Sequence, residues 1–433
     1  TMSSCLASSS NQSIPSRDGA SSPIPSIISE NQIGKGLKVV LFEKIYGGVG
    51  TFFRQRGFQV VEIPRGMVDE ELIATIKGAH LIGIRSKTKV TEKVLRACSD
   101  TLIAIGCFCI GINQVALGVA RSLGIPVFNS PFENTRSVAE LMIAEMICLS
   151  RFLCDRSSEM HQQVWGKTST NCHEIRGKSI GIVGYGHIGS QLSVLAESMG
   201  MNVFFYDVLR KMPLGNSTRL DSLEQLLTTV DFVCLHVPAD DTTKDMISAK
   251  ELALMKSGSY LLNASRGSVV VLEDLAAALK SGHIRGAAID VYPVEPRSNT
   301  DDFKCVLQKL PNVILTPHIG GSTEEAQVNI GGDVQMKLLK YIATGKTTGS
   351  VNFPEVHAPI APATKRITNI HQNKPGVLRK INTVLAEFNI AGQVLRTDQD
   401  VGYLVIDVEQ SVSEQCHRMI FDLPESIRTR LLN

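Results

Sequence analysis

Three short stretches carry side chains suited to moving protons beside a carbonyl or hydroxyl group: NASRGS with Arg266, IDVYPVEP with Asp290 and Glu295, and LTPHIGGS with His318. A histidine titrates near neutrality, so it can take a hydroxyl proton and return it. A carboxylate beside it fixes its tautomer and raises its pKa. An arginine offers positive charge and a planar fork matched to a carboxylate. Taken singly, each has a plainer reading. Arg266 could be a structural charge at a strand end, Glu295 a loop acid between prolines, and His318 a turn cap. Only their joint occurrence behind a cofactor motif carries the catalytic reading.

That motif lies in Lys178 to Asp207, KSIGIVGYGHIGSQLSVLAESMGMNVFFYD. An apolar run from Ser179 to Val183 predicts a buried parallel strand. Gly184, Gly186 and Gly189 then open a helical pattern, and a second apolar run, Val203 to Tyr206, ends on Asp207. The first glycine permits a tight turn, the second lets the backbone approach a pyrophosphate, and the third lets helix pack on strand. The helix N-terminus faces the phosphates. Asp207 would accept hydrogen bonds from the adenosine ribose, which favours NAD over NADP, although Arg210 stands nearby. With a hydride acceptor supplied, the Arg–carboxylate–His set suits a 2-hydroxy acid better than a plain alcohol. His236, in LHVP at a strand end, reads as a wall of the dinucleotide pocket rather than as the base.

The elements that must position these groups follow from β/α alternation. LKVVLFE, FQVVEI, HLIGIRS, TLIAIGCF and IPVFN read as strands, with helices over Asp69 to Lys77 and Thr91 to Ala97. Val138 to Cys154 predicts one helix, apolar on most sides and so buried between layers. After Asp207, strands DFVCLHVP, SYLLNAS, GAAIDV and NVILTPH alternate with helices over Leu223 to Leu227, Lys250 to Met255 and Leu272 to Ser281. Ser322 to Thr344 reads as a long helix returning to the first lobe.

The expected fold class is α/β: two doubly wound Rossmann-like domains followed by a C-terminal ferredoxin-like βαββαβ unit. The divisions are a tail over 1–33, a discontinuous substrate domain over 34–133 and 320–350, and a dinucleotide domain over 134–319. A linker over 351–362 and a final unit over 363–433 complete the chain. The Ser-, Pro- and Asn-rich tail reads as disordered and lacks the pattern of a secretory signal.

The 433 residues exceed one core, and a net charge of +2 implies neither nucleic-acid nor polybasic membrane binding. No apolar run is long enough to span a bilayer. Ten scattered cysteines without metal-ligand spacing read as free thiols in a reducing compartment, so no metal is expected and the cytoplasm is the default location.

VGYGHIGSQ with Asp207, NASRG, AAIDVYPVEP and TPHIGGS together resemble the D-isomer-specific 2-hydroxyacid dehydrogenase family. IGCFCIGINQV, FNSPFENTRSVAE and IHQNKPGVL resemble more narrowly its short bacterial branch acting on D-3-phosphoglycerate, over roughly Gly36 to Asn433. By that resemblance Arg266 binds and polarises the substrate, Glu295 supports the histidine, and His318 is the acid/base. NAD would be lined by Gly184, Tyr185, Gly186, His187, Ile188, Gly189, Asp207, His236, Val237 and Pro238. Ala264, Ser265, Arg266, Asp290, His318, Gly320 and Gly321 would complete its site, Asp290 holding the nicotinamide carboxamide. Arg65, Arg85, Ser86, Lys87, Asn134 and Gln327 match substrate or phosphate positions, with Lys167 reaching in from a neighbouring subunit. At position 87, lysine keeps the charge of an arginine without its fork.

The final unit resembles an ACT domain, in which His371, Asn373 and Asn389 match ligand positions. The implied effector is L-serine, held between paired ACT domains of a homotetramer. The implied reaction is NAD-dependent oxidation of D-3-phosphoglycerate to 3-phosphohydroxypyruvate, with 2-oxoglutarate as a side substrate. Two alternatives stay open: another D-2-hydroxyacid dehydrogenase, or a non-catalytic NAD-sensing corepressor-like protein.

Overall fold

The computed structural model describes residues 32–296 and 300–432. The tail expected over 1–33 lies almost entirely outside them; Ile33, at its edge, packs on an apolar core. That lobe is a five-stranded parallel sheet in the order β2-β1-β3-β4-β5. Its strands are β1 (Lys38–Phe42), β2 (Gln59–Ile63), β3 (Leu81–Ile84), β4 (Ala104–Cys107) and β5 (Val127–Asn129). Between them run α1 (Gly47–Gln55), α2 (Asp69–Ile76), α3 (Glu92–Cys98) and α4 (Leu117–Ser122). Val39 and Leu41 of β1 enter one core while Val40 and Phe42 enter another. This is the two-sided burial that a parallel sheet covered on both faces requires.

The chain crosses to the second lobe through α5 (Thr135–Arg151) and α6 (Leu153–His161). The single helix expected over Val138 to Cys154 therefore needs correction. It starts three residues earlier and breaks at Phe152, whose φ of 52° is left-handed and ends the helical repeat. The second sheet is parallel throughout, in the order β12-β11-β10-β9-β6-β7-β8. Its strands are β6 (Ser179–Val183), β7 (Asn202–Tyr206), β8 (Thr218–Arg219), β9 (Phe232–Leu235), β10 (Ser259–Asn263), β11 (Ile284–Ile289) and β12 (Val313–Leu315). The helices are α7 (His187–Ser198), α8 (Leu223–Thr229), α9 (Ala249–Leu254) and α10 (Leu272–Lys280). Strand order reverses between β6 and β9, and the crevice outside the carboxyl ends there is where a doubly wound sheet binds ligands.

Helix α11 (Glu324–Thr344) then returns to the first lobe, inserting Ile330, Val334, Leu338 and Tyr341 into the core that holds Val39. The last unit is an antiparallel sheet in the order β14-β15-β13-β16. It contains β13 (Thr364–Gln372), α12 (Val377–Leu385), β14 (Ile390–Thr397), β15 (Val401–Glu409), α13 (Ser413–Phe421) and β16 (Ser426–Leu432), in βαββαβ order. It sits on the first lobe. Arg428 donates to the carbonyls of Leu102 and Ser99, and the Tyr403 hydroxyl donates to Gly345. Arg366 is buried, pairs with Asp407 at 2.7 Å and donates to the carbonyls of Thr344, Ala358 and Pro359. No helix among the described residues is long and apolar enough to cross a membrane.

Candidate active site

His318 lies just beyond β12, and Glu295 follows β11 in a neighbouring loop. The His318 Nδ1 sits 3.0 and 2.9 Å from the two Glu295 carboxylate oxygens. That contact occupies Nδ1 and leaves Nε2 for a substrate proton. The Glu295 hydrogen bond raises the His318 pKa above the ordinary imidazole value against burial, assisted by the Glu295 and Asp290 charges and opposed by Arg266. Burial pushes the Glu295 carboxyl up, but the hydrogen bond and charge of His318, the Tyr292 backbone and Arg266 outweigh it and hold it low. Arg266, after β10, is thus near enough to act on both partners. Its guanidinium donates 2.7 Å to the Ser265 carbonyl. The structure brings all three predicted groups to one edge of the second sheet.

Asp290 has a task that its motif did not announce. Its buried carboxylate accepts from the Thr316 hydroxyl at 2.6 Å and from the backbone N–H groups of Ile319 and Gly320 at 2.8 Å each. It ties down both flanks of His318, whose own φ is 55°. The Tyr292 hydroxyl donates to the Ile289 and Thr316 carbonyls and adds a second brace. Thr316 and Tyr292 were missed in the sequence, although both lie inside the quoted motifs. Below them, Glu145 of α5 is buried without a hydrogen-bond partner, and burial with the Asp290 charge pushes it up to about 8.

The glycine turn fits a dinucleotide. Gly184 adopts a φ of 92°, and a Cβ on Gly189 would stand 2.2 Å from the Gly184 carbonyl oxygen. Helix α7 has Gly186 at its N-cap, no side-chain cap and no acid in its first turn, so no capping side chain claims its first N–H groups. Asp207, ending β7, accepts 2.8 Å bonds from the N–H groups of Tyr185 and Leu209 and keeps lone pairs for ribose hydroxyls. Both ring nitrogens of His236 are buried and unpartnered, and burial lowers its pKa to about 4. A neutral imidazole with an unmet donor and acceptor suits the wall of a polar ligand pocket.

The Tyr185 side chain turns inward. Its ring is 4% exposed and stacks on Phe205 at 3.8 Å, and its hydroxyl bonds Ser193 and Ser217. It contributes only backbone to the turn. His187 instead stacks on Phe132, from the turn before α5, at 3.7 Å.

Among the expected substrate groups, Arg85, Ser86 and Lys87 share the loop after β3, and a Cβ on Gly66 would lie 2.9 Å from the Lys87 Cβ. The backbone beside Arg65 is therefore close in space to that loop, but its guanidinium pairs with Glu71 on the surface. Asn134 stands at the N-cap position of α5 without a side-chain capping bond, its Oδ1 buried and unpartnered, and Gln327 donates to the Gly321 carbonyl at 3.2 Å. Lys167 belongs elsewhere. It lines a surface groove beyond α6 with Arg151, Arg156 and Trp165, whose indole is 78% exposed.

In the C-terminal unit His371 is buried and meets Asn369 at 2.9 Å, while Asn373 donates to Asp398. Asn389 bonds Glu409 at the far end of the sheet: Gln372 pairs with Val401, whereas Ile390 pairs with Val408. One chain does not bring the three residues together.

The family described as D-isomer specific 2-hydroxyacid dehydrogenase, NAD binding domain, matches residues 143–320, and the AHAS small subunit-like ACT domain matches 367–428. The chain is 55% identical over 396 residues to D-3-phosphoglycerate dehydrogenase of Dictyostelium discoideum, covering 92% of this chain and 97% of that one. To the Escherichia coli K12 protein of the same name it is 49% identical over 401 residues, with the same two shares. Among solved structures, a D-lactate dehydrogenase from Sporolactobacillus is similar at TM-score 0.63 and 30% identity, covering 73% of this chain and 99% of that one.

Proposed function

The chain belongs to the D-isomer-specific 2-hydroxyacid dehydrogenase family and is an NAD-dependent oxidoreductase; from that premise we propose that it oxidises D-3-phosphoglycerate to 3-phosphohydroxypyruvate, the entry step of phosphorylated L-serine synthesis. The observation that carries this reading is the His318–Glu295 contact with Arg266 beside it. The His318 Nε2 takes the substrate hydroxyl proton while Glu295 stabilises the imidazolium through Nδ1. Arg266 holds the carboxylate and the oxygen that becomes the carbonyl. NAD supplies the hydride acceptor, held by the Gly184–Gly189 turn, Asp207 and the His236 wall. Arg85, Ser86 and Lys87 answer the phosphate, joined by Asn134 and Gln327.

Both more distant assignments call for a second copy of the chain. Lys167 lies on a face with exposed Val164, Trp165 and Met160, and a neighbour seated there would carry its own Lys167 toward this crevice. The separation of Asn373 from Asn389 suits an L-serine site shared by two C-terminal units, and the tetramer follows from using both faces. A reducing compartment such as the cytoplasm suits nine described cysteines that are all free. The domain divisions given above are proposed unchanged.

The test is a spectrophotometric NADH assay with 3-phosphohydroxypyruvate, 2-oxoglutarate and pyruvate, each with and without L-serine. Fastest turnover on the phosphorylated acid, suppressed by serine, is expected. Preference for pyruvate would point to another 2-hydroxyacid dehydrogenase, and NADH binding without turnover to a sensor.

A further inference from the structure

A buried acid in the first lobe, the last residue of LKVVLFE, was given no chemical role above. Glu43 follows β1, is 8% exposed, and its carboxylate accepts three backbone N–H groups of one loop. Arg85 donates at 3.2 Å, Lys87 at 2.9 Å and Thr88 at 2.7 Å. Nearby N–H groups curled around one point form a concavity for an anion. Here the protein's own carboxylate fills it.

The arrangement is held from both sides. Glu43 and Lys44 take left-handed φ values of 62° and 51°, a conformation that costs a residue with a Cβ about 1 kcal/mol or more and persists when contacts enforce it. The Gln114 amide donates 2.9 Å to the Arg85 carbonyl, gripping the same loop from α4's side of the sheet. Beside this cluster the Cys109 thiol is pushed up to about 11, chiefly by burial, and stays neutral. The loop so fixed carries Arg85, Ser86 and Lys87, which match substrate positions. A long cationic side chain on a mobile loop loses affinity to the entropy of ordering, whereas a fixed stem spares part of that cost.

We propose that Glu43 is a positioning residue for substrate binding: its carboxylate fixes the Arg85–Thr88 loop so that Arg85, Ser86 and Lys87 meet the anionic end of the substrate. The proposal rests on the substrate reading above. Glu43 touches neither the reacting atoms nor the dinucleotide crevice, so its loss should act on substrate affinity alone.

Steady-state kinetics with D-3-phosphoglycerate and calorimetric titration of NADH on wild-type and Glu43→Gln proteins test it. The amide oxygen can keep the Arg85 and Thr88 N–H groups, but the NH2 replaces the oxygen that accepts from Lys87, sets donor against donor there and breaks that arm of the clamp. KM should rise about tenfold while kcat stays within about threefold and NADH affinity is unchanged. An unchanged KM overturns the proposal. A rise in KM joined by falls in kcat and NADH affinity also overturns it, because that marks general loosening. If the Gln variant does not fold, Glu43→Asp carries the same test, since its shorter side chain cannot reach all three donors. Wild-type protein inert on D-3-phosphoglycerate would sink the substrate reading instead. The comparison is then repeated on the 2-hydroxy acid that is oxidised, where a rise confined to KM is again required.

Discussion

His318 combines a left-handed backbone, a carboxylate on Nδ1 and a loop pinned at Thr316, Ile319 and Gly320 by Asp290. Arg266→Ala should lower kcat by about a hundredfold or more, since developing charge on the substrate oxygen loses its partner. Near-normal turnover would remove its role. The pH dependence follows from the raised His318 pKa. Neutral imidazole is the acceptor in oxidation, so that rate should climb as pH rises through a value above 6.5, and reduction should fall across the same window. Glu295→Gln removes the largest raising influence, so the limb in kcat/KM should move to lower pH. An unmoved limb would contradict the pairing. The same pair contributes stability below pH 6.5 that is lost as pH rises through the raised His318 value, and again as pH falls through the lowered Glu295 value. These roles were legible because residue types sit in short motifs at strand ends. The inward turn of Tyr185 was not, since its partners Ser193, Phe205 and Ser217 become neighbours only on folding.

At the level of elements, the β/α alternation was readable because each buried strand is a short apolar run between turn residues. Helix α1 escaped notice: GGVGTFFRQ has three glycines and poor intrinsic propensity, and it is held by Val49 and Phe53 in the core. The break at Phe152 has no sequence signal either, because a phenylalanine seldom takes a left-handed φ. Element packing is close where α7 meets the turn after β6. Gly189→Ala would put a methyl 2.2 Å from a backbone carbonyl, which cannot yield as a flexible side chain can. The helix must shift, and NADH affinity measured by calorimetry should fall at least about tenfold. Unchanged affinity would mean that the turn adjusts freely.

Over the whole molecule, the C-terminal unit was visible from its βαββαβ pattern and from the prolines before it, but its docking was not. Arg366 reaches Thr344, Arg428 reaches Leu102, and Arg121 reaches Asp398 and Asp400, each bond joining this unit to an earlier part of the chain. Arg366→Met should destabilise the protein by about 3–5 kcal/mol because Asp407 is left buried and unpaired, and adding Asp407→Leu should recover much of it. Chemical denaturation of the single and double variants checks this; additive losses would contradict a shared pair. The exposure of Trp165 has a practical outcome at the same scale. With one tryptophan per chain, the protein carries its own optical gauge of assembly: indole emission should lie toward the blue while a neighbour covers that face and drift red on dilution.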